Sequence, residues 1–161
     1  MPFSRHRRLA AIVLVVGFAG FAACHRGSKT PVPEGDIAAS LTVPSLAGDP
    51  LDTQSLEGKP TLLLFVTPSC VHCLATIPNA IAAAHQRNAN VAAVFVAGDR
   101  DRAQRVIDQL KFPGPALMDD GTLRAQYHVD SVPYILVLRP DGHAKDAFEG
   151  EQTTATLADA I

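Results

Sequence analysis

At 161 residues the chain is long enough for one domain with some extra sequence and too short for two full cores. Hydrophobic residues make up 47% of it and charged residues 19%, a balance that argues against disorder throughout. The formal charge of −2 is uneven: Arg5, Arg7 and Arg8 sit in the first eight residues, while from Cys24 onward 11 basic residues face 16 acidic ones, and that net of −5 gives no reason to expect a nucleic-acid partner.

The basic cluster is followed by LAAIVLVVGFAGFAA, an uncharged apolar run over residues 9–23. It is shorter than the roughly 18–20 residues a helix needs to cross a bilayer, so residues 1–23 read as an export signal. The run closes in FAAC, which resembles the lipobox of bacterial lipoproteins. That resemblance implies cleavage before Cys24 and attachment of diacylglycerol to its thiol. The protein would then be a cell-envelope component, facing the periplasm and anchored to the inner or outer membrane. Phe21 stands where leucine is usual, which leaves simple cleavage or an uncleaved anchor open as the other outcomes. With Cys24 lipidated, the remaining two cysteines form an even pair in an oxidising compartment. Residues 24–40, CHRGSKTPVPEGDIAAS, are rich in Pro, Gly, Ser and charge and read as a flexible tether.

A folded domain is expected over residues 41–161. LTVPSLAGDPLDTQSLEGKP gives short apolar pieces broken by turn residues, the pattern of a small hairpin. TLLLFV is a continuous apolar run, as in a strand buried on both faces. From residue 70 to about 87, Leu74, Ile77, Ile81 and Ala84 recur at helical spacing and predict an inward face. VAAVFVAG is a second buried strand, followed by a helix with Asp99 or Asp101 as N-cap, Arg102 and Arg105 outward, Val106, Ile107 and Leu110 inward, and a stop at Pro113-Gly114. PALMDDGTLRAQYHV predicts a short strand and helix, with Tyr127 in the core. PYILVLRPDGHAKDAFEG predicts two strands, Phe148 among their core residues, joined by a Pro-Asp-Gly turn. TTATLADAI closes the chain as a helix short enough that weak packing is expected. The order implies a mixed sheet, parallel early and antiparallel late, with helices on both faces.

TPSCVHC places Cys70 and Cys73 at C-x-x-C spacing. Haem attachment needs a histidine directly after the second cysteine, and Leu74 is there. Structural zinc wants a second ligand pair, and His85, His128 and His143 are scattered. A loop this small gains little as a mere staple. Redox chemistry has a positive case. Cys70 falls where a buried strand meets a helix, so the helix N–H groups and dipole favour its thiolate. Cys73 lies one turn away, close enough to resolve a mixed disulfide. His72 between them would add positive charge. Two other readings stay open: a Cu(I) carrier using the soft thiolates, and a thiol peroxidase, because Thr67 and Cys70 form T-x-x-C as in peroxiredoxins.

Strand, C-x-x-C opening a helix, and SVPY before a later strand resemble the thioredoxin fold over residues 41–161. An added amino-terminal hairpin, a membrane tether, Pro78 five residues after Cys73 and the stretch YHVDSVPYILVLRPDGHAKDAFEG are similar to the exported TlpA/ResA-like thiol-disulfide oxidoreductases. The resemblance implies Cys70 as nucleophile and Cys73 as resolving thiol, with Val132 and Pro133 as the cis-proline loop holding a substrate's chain in an extended pose. Gly150 matches the family's glycine after the last strand. Partners are then protein disulfides or dithiols and a membrane electron donor or acceptor, with no cofactor and a monomeric protein. Three features depart from the pattern: Ser69 replaces the family's tryptophan before the first cysteine, Thr76 replaces an acidic residue three positions after the second, and the last helix is short. TPSC also resembles redoxin-like proteins that help mature periplasmic quinoprotein dehydrogenases. Ser69, Thr67 and His72 are the expected tuning residues.

Overall fold

In chain order the elements are β1 (Ser28–Thr30), β2 (Thr42–Val43), β3 (Leu51–Asp52), a 3-10 turn (Thr53–Leu56), β4 (Thr61–Val66), α1 (Val71–Arg87), β5 (Asn90–Phe95), α2 (Arg100–Leu110), β6 (Ala116–Met118), α3 (Thr122–Gln126), β7 (Tyr134–Leu138), β8 (Ala144–Glu149) and α4 (Thr154–Ala160). This computed structural model describes residues 27–32 and 41–161; the export signal, Cys24 and its lipidation, and the rest of the expected tether lie outside the described residues.

Six strands form one sheet in the order β1-β8-β7-β4-β5-β6. β4, β5 and β6 run parallel, while β7, β8 and β1 add on antiparallel. The expected mixed sheet is therefore present. β4 explains its own composition: it is paired on both sides and covered on both faces, and all six of its residues are buried. Leu62, Leu64 and Val66 pack with Ile77, Ala103 and Leu157, so α1, α2 and α4 share one face. Leu63 and Phe65 pack on the other face with Leu123 and Tyr127, where α3 lies. The Phe65 ring meets Tyr127 and Tyr134 at centroid distances of 6.0 and 5.9 Å. Phe148 is buried on the α1 side, in agreement with its expected place in the core.

Helix boundaries follow from their caps. The Asp99 carboxylate accepts the Arg102 N–H at 2.9 Å and starts α2, and Lys111 in a left-handed conformation ends it just ahead of Pro113-Gly114. α1 ends likewise at Asn88, φ 51°. The hairpin between β7 and β8 turns at Gly142, whose φ of 82° suits glycine, and its N–H reaches the Arg139 carbonyl at 3.0 Å. β2 and β3 pair as the expected small hairpin, which leads on to an antiparallel bridge between Ser45 and Leu117 of β6.

Three expectations need correction. Leu74 does not face the core. The buried stripe of α1 runs through Cys73, Ile77, Ala80 and Ala84, and Leu74, one residue round from Cys73, is 37% exposed. The last helix is not loosely packed. Leu157, Ala158 and Ala160 are buried in the same cluster as Ile77, and the Lys145 ammonium donates to the Ala160 carbonyl at 2.7 Å, closing the final turn.

Nor is the stretch expected as a tether free throughout. Ser28, Lys29 and Thr30 pair antiparallel with Glu149, Phe148 and Ala147. An ion pair from Lys29 to Asp146 and a Gly27 N–H bond to the Glu151 carbonyl, 3.0 Å, hold the strand in place. Gly27 is needed there because a Cβ would overlap the Gln152 side-chain amide and the Glu149 carbonyl oxygen. Gly27→Ala should therefore lift β1 off β8. The expected outcome is a loss of about 1–3 kcal/mol in urea unfolding and faster hydrogen exchange at the Lys29 and Thr30 amides.

Candidate active site

The site forms where β4 ends and β7 begins. The last β4–β7 pair is Phe65 opposite Tyr134, so the residues that follow Val66 and those that precede Tyr134 emerge side by side. The first group is Thr67 to Cys70 and the second is Ser131 to Pro133. Cys70 is the N-cap of α1 and is joined by a disulfide to Cys73, with their Cα atoms 5.2 Å apart. Cys70 is partly exposed, whereas Cys73 has no exposed surface.

The backbone N–H of Cys73 donates to Cys70 Sγ at 3.1 Å. A sulfur thus takes the place that a serine or aspartate oxygen holds at an ordinary N-cap. Once reduced, the same N–H and the helix dipole favour a thiolate on Cys70 over one on buried Cys73. Cys70 Sγ also lies 3.9 Å from the carbonyl oxygen of Val132, 62 residues away. The Val132–Pro133 peptide is cis, and the Pro133 carbonyl accepts the Gly150 N–H at 2.9 Å, which fixes the loop to the end of β8.

His72 is exposed, and its Nδ1 lies 3.0 Å from Glu151 Oε2; the two side chains are 61% and 40% exposed. The pair links the first turn of α1 to the segment between β8 and α4. Ser69 is exposed, and Thr67 is half-buried and meets Cys70 through its backbone, its carbonyl accepting the Cys70 N–H at 3.3 Å. Thr76 is buried, its hydroxyl oxygen receiving the Gln152 N–H at 3.4 Å. The apolar surface beside Cys70 comes from Val71, 74% exposed, and from Leu74. A groove of about 300 Å³ runs alongside, lined by Gly27 and His72, the Val132–Pro133 loop, and Glu149 and Glu151. Next to Pro133, Tyr134 is buried among Phe65 and its neighbours, and its phenol is pushed above the usual range, first by burial and then by the Glu149 carboxylate.

Among the described residues no group of three His, Cys, Asp or Glu side chains is placed to hold a metal ion.

The thioredoxin-like family profile matches residues 58–144, more than half of the chain. The chain belongs to the thioredoxin-like family. The soluble secreted antigen MPT53 of Mycobacterium tuberculosis is 31% identical, over 94% of this chain and 83% of that one. The thioredoxin-like protein YneN of Bacillus subtilis is 27% identical over 88% of each. The crystal structure of a secreted M. tuberculosis disulfide oxidoreductase homologous to E. coli DsbE superposes with a TM-score of 0.67 at 28% identity, covering 75% of this chain and 93% of that one. This thioredoxin-like protein is a thiol-disulfide oxidoreductase with Cys70–Cys73 as its disulfide. No helix among the described residues is long and apolar enough to cross a membrane.

Sequence reasoning brought together Cys70, Cys73, His72, Val132 and Pro133, and the structure does the same. It did not single out Gly27, Glu151 or Gln152. Gln152 is the hub behind the pair. It is buried, its side-chain amide donates to the Glu149 and Gly150 carbonyls at 3.0 and 3.4 Å, and its own carbonyl accepts from Asn79 at 2.9 Å. Nothing local in EGEQTT marks that glutamine out. Gln152→Ala should leave the two carbonyls to find new partners, lowering stability by about 1–3 kcal/mol as a fall in the urea midpoint.

Proposed function

We propose that the protein is a lipid-anchored, periplasm-facing reductase of disulfides in partner proteins. The observation that carries this reading is the Cys73 N–H bonded to Cys70 Sγ at 3.1 Å, beside the Val132 carbonyl. It supports different tasks for the two sulfurs. The reduced Cys70 thiolate attacks one sulfur of the partner's disulfide. A Cys70–partner S–S bond forms, the partner's own S–S bond breaks, and its second sulfur leaves as a thiolate that takes up a proton. Cys73 then loses its proton and attacks Cys70 Sγ, forming the Cys70–Cys73 disulfide and releasing the partner's first sulfur, which is protonated. Two electrons pass from the protein's dithiol to the partner's disulfide, and a membrane electron donor restores the dithiol.

In this scheme Val132 and Pro133 hold the partner's chain against the pair, and Val71 and Leu74 supply the apolar contact that a tryptophan would give. Direction is supported by His72 and Glu151. A lone imidazolium between the cysteines would stabilise the reduced thiolate and make the pair oxidising. The Glu151 carboxylate 3.0 Å away offsets that charge and leaves the pair nearer the reducing end. Anchoring rests on the FAAC stretch at Cys24.

Equilibration against a low-potential dithiol should give a potential close to about −270 mV; a value near about −120 mV would make the protein a disulfide donor instead. Cys70→Ser should abolish reduction of insulin, and Cys73→Ser should accumulate a mixed disulfide visible on a non-reducing gel. Activity that survives Cys70→Ser would sink the assignment of the nucleophile. For the anchor, Cys24→Ala should move the protein from the membrane fraction to the soluble one and remove the mass of the diacylglycerol from its amino-terminal peptide.

A further inference from the structure

The groove beside the redox pair carries a charge pattern that the reaction itself does not require. Glu149, at the end of β8, and Glu151, two residues on, both line it. Glu149 lies on the strand face that also carries Tyr134, which feels its charge, and Glu151 reaches the α1 side to meet His72. Acidic groups therefore bound the groove from two sides. Among the residues lining it, His72 is the one that can be cationic, and it is matched to Glu151. Lys29, next to the lining residue Ser28, is taken up by Asp146. Glu149 has no ion pair among the described residues.

A segment lying in this groove with its disulfide at Cys70 would pass both carboxylates. We infer that Glu149 and Glu151 are specificity-determining residues that select partner segments carrying Lys or Arg beside the reactive cysteine. The inference rests on the oxidoreductase assignment and deepens it by naming the partner's chemistry. Complementary charge acts on encounter and on register, and its effect at a partly exposed site fades with salt. An anionic lipid headgroup is a poor occupant for the same reason.

The test uses the reduced full chain and three peptides closed by the same internal disulfide, with Lys, Glu or Gln on both sides of each cysteine. Each rate of reduction is divided by the rate with dithiothreitol, a neutral dithiol, which removes differences in the peptides' own leaving-group ability. At about 0.01 M ionic strength, where the Debye length is about 30 Å, the Lys peptide should react about five- to tenfold faster than the Glu peptide. At about 1 M salt the ratio should fall below about twofold. Glu149→Gln and Glu151→Gln should each lower the ratio by about two- to fivefold. Working with the ratio cancels any change of reduction potential that Glu151→Gln causes through His72. Equal rates at low salt, a preference for the Glu peptide, or a preference that survives in the double variant would each overturn the inference. Failure to reduce any of the three peptides would instead strike the oxidoreductase reading, and the specificity with it.

Discussion

The site depends on the register between β4 and β7. Five cross-strand pairs run from Thr61 opposite Leu138 to Phe65 opposite Tyr134. Because the strands are antiparallel, the exit of one lies beside the entry of the other, and this alone brings Cys70 to a carbonyl 62 residues later in the chain. A slip of one residue would turn Phe65 from the α3 face to the α1 face and move the loop off the sulfur. The alternation of Leu62, Leu64 and Val66 on one side with Leu63 and Phe65 on the other resists that slip, since both sets fill separate cores. Packing deep in the sheet thus determines geometry at its end.

The electrostatics of the pair come from two layers. The inner one belongs to the helix: a Cys73 N–H aimed at Cys70 Sγ, which any residues between the cysteines would leave in place. The outer one is made by side chains, where His72 in the first turn of α1 meets the Glu151 carboxylate from the segment between β8 and α4. The inner layer makes the two sulfurs unequal, favouring negative charge on Cys70. The outer layer bears on how much net positive charge lies near Cys70. The two can be altered separately, because the first is backbone and the second is exposed side chain.

The parts of this architecture that were legible in the sequence are those with a local signature. TLLLFV, the C-x-x-C pair, SVPY and the Pro-Asp-Gly turn each name a strand, a helix start, a loop or a hairpin without help from elsewhere. β1 has no such mark. Ser28, Lys29 and Thr30 form a polar edge strand whose order comes from pairing with β8 and from the close approach of Gly27 to Gln152, contacts across more than a hundred residues. The His72–Glu151 pair spans 79 residues and leaves no trace in spacing. Leu74 was misread for a different reason. Helical periodicity identifies an apolar stripe but not how far the sheet beneath it extends, and the first turn of α1 stands at the sheet's end, where an apolar side chain remains in solvent.

β1 also bears on how an extended chain could join this protein. At one margin of the sheet β1 lies along β8. At the other, β6 is only three residues long, and the segment before β3 bridges it through Ser45, with the Leu46 N–H bonded to the Ala116 carbonyl and the Met118 N–H to the Pro44 carbonyl. What β1 leaves on its own outer side is a three-residue rim containing a lysine, a poor template for strand addition. Among the described residues, then, neither margin of the sheet offers a long free strand edge. Under the proposed function a client's main chain would lie instead against the Val132 loop, beside Cys70 Sγ.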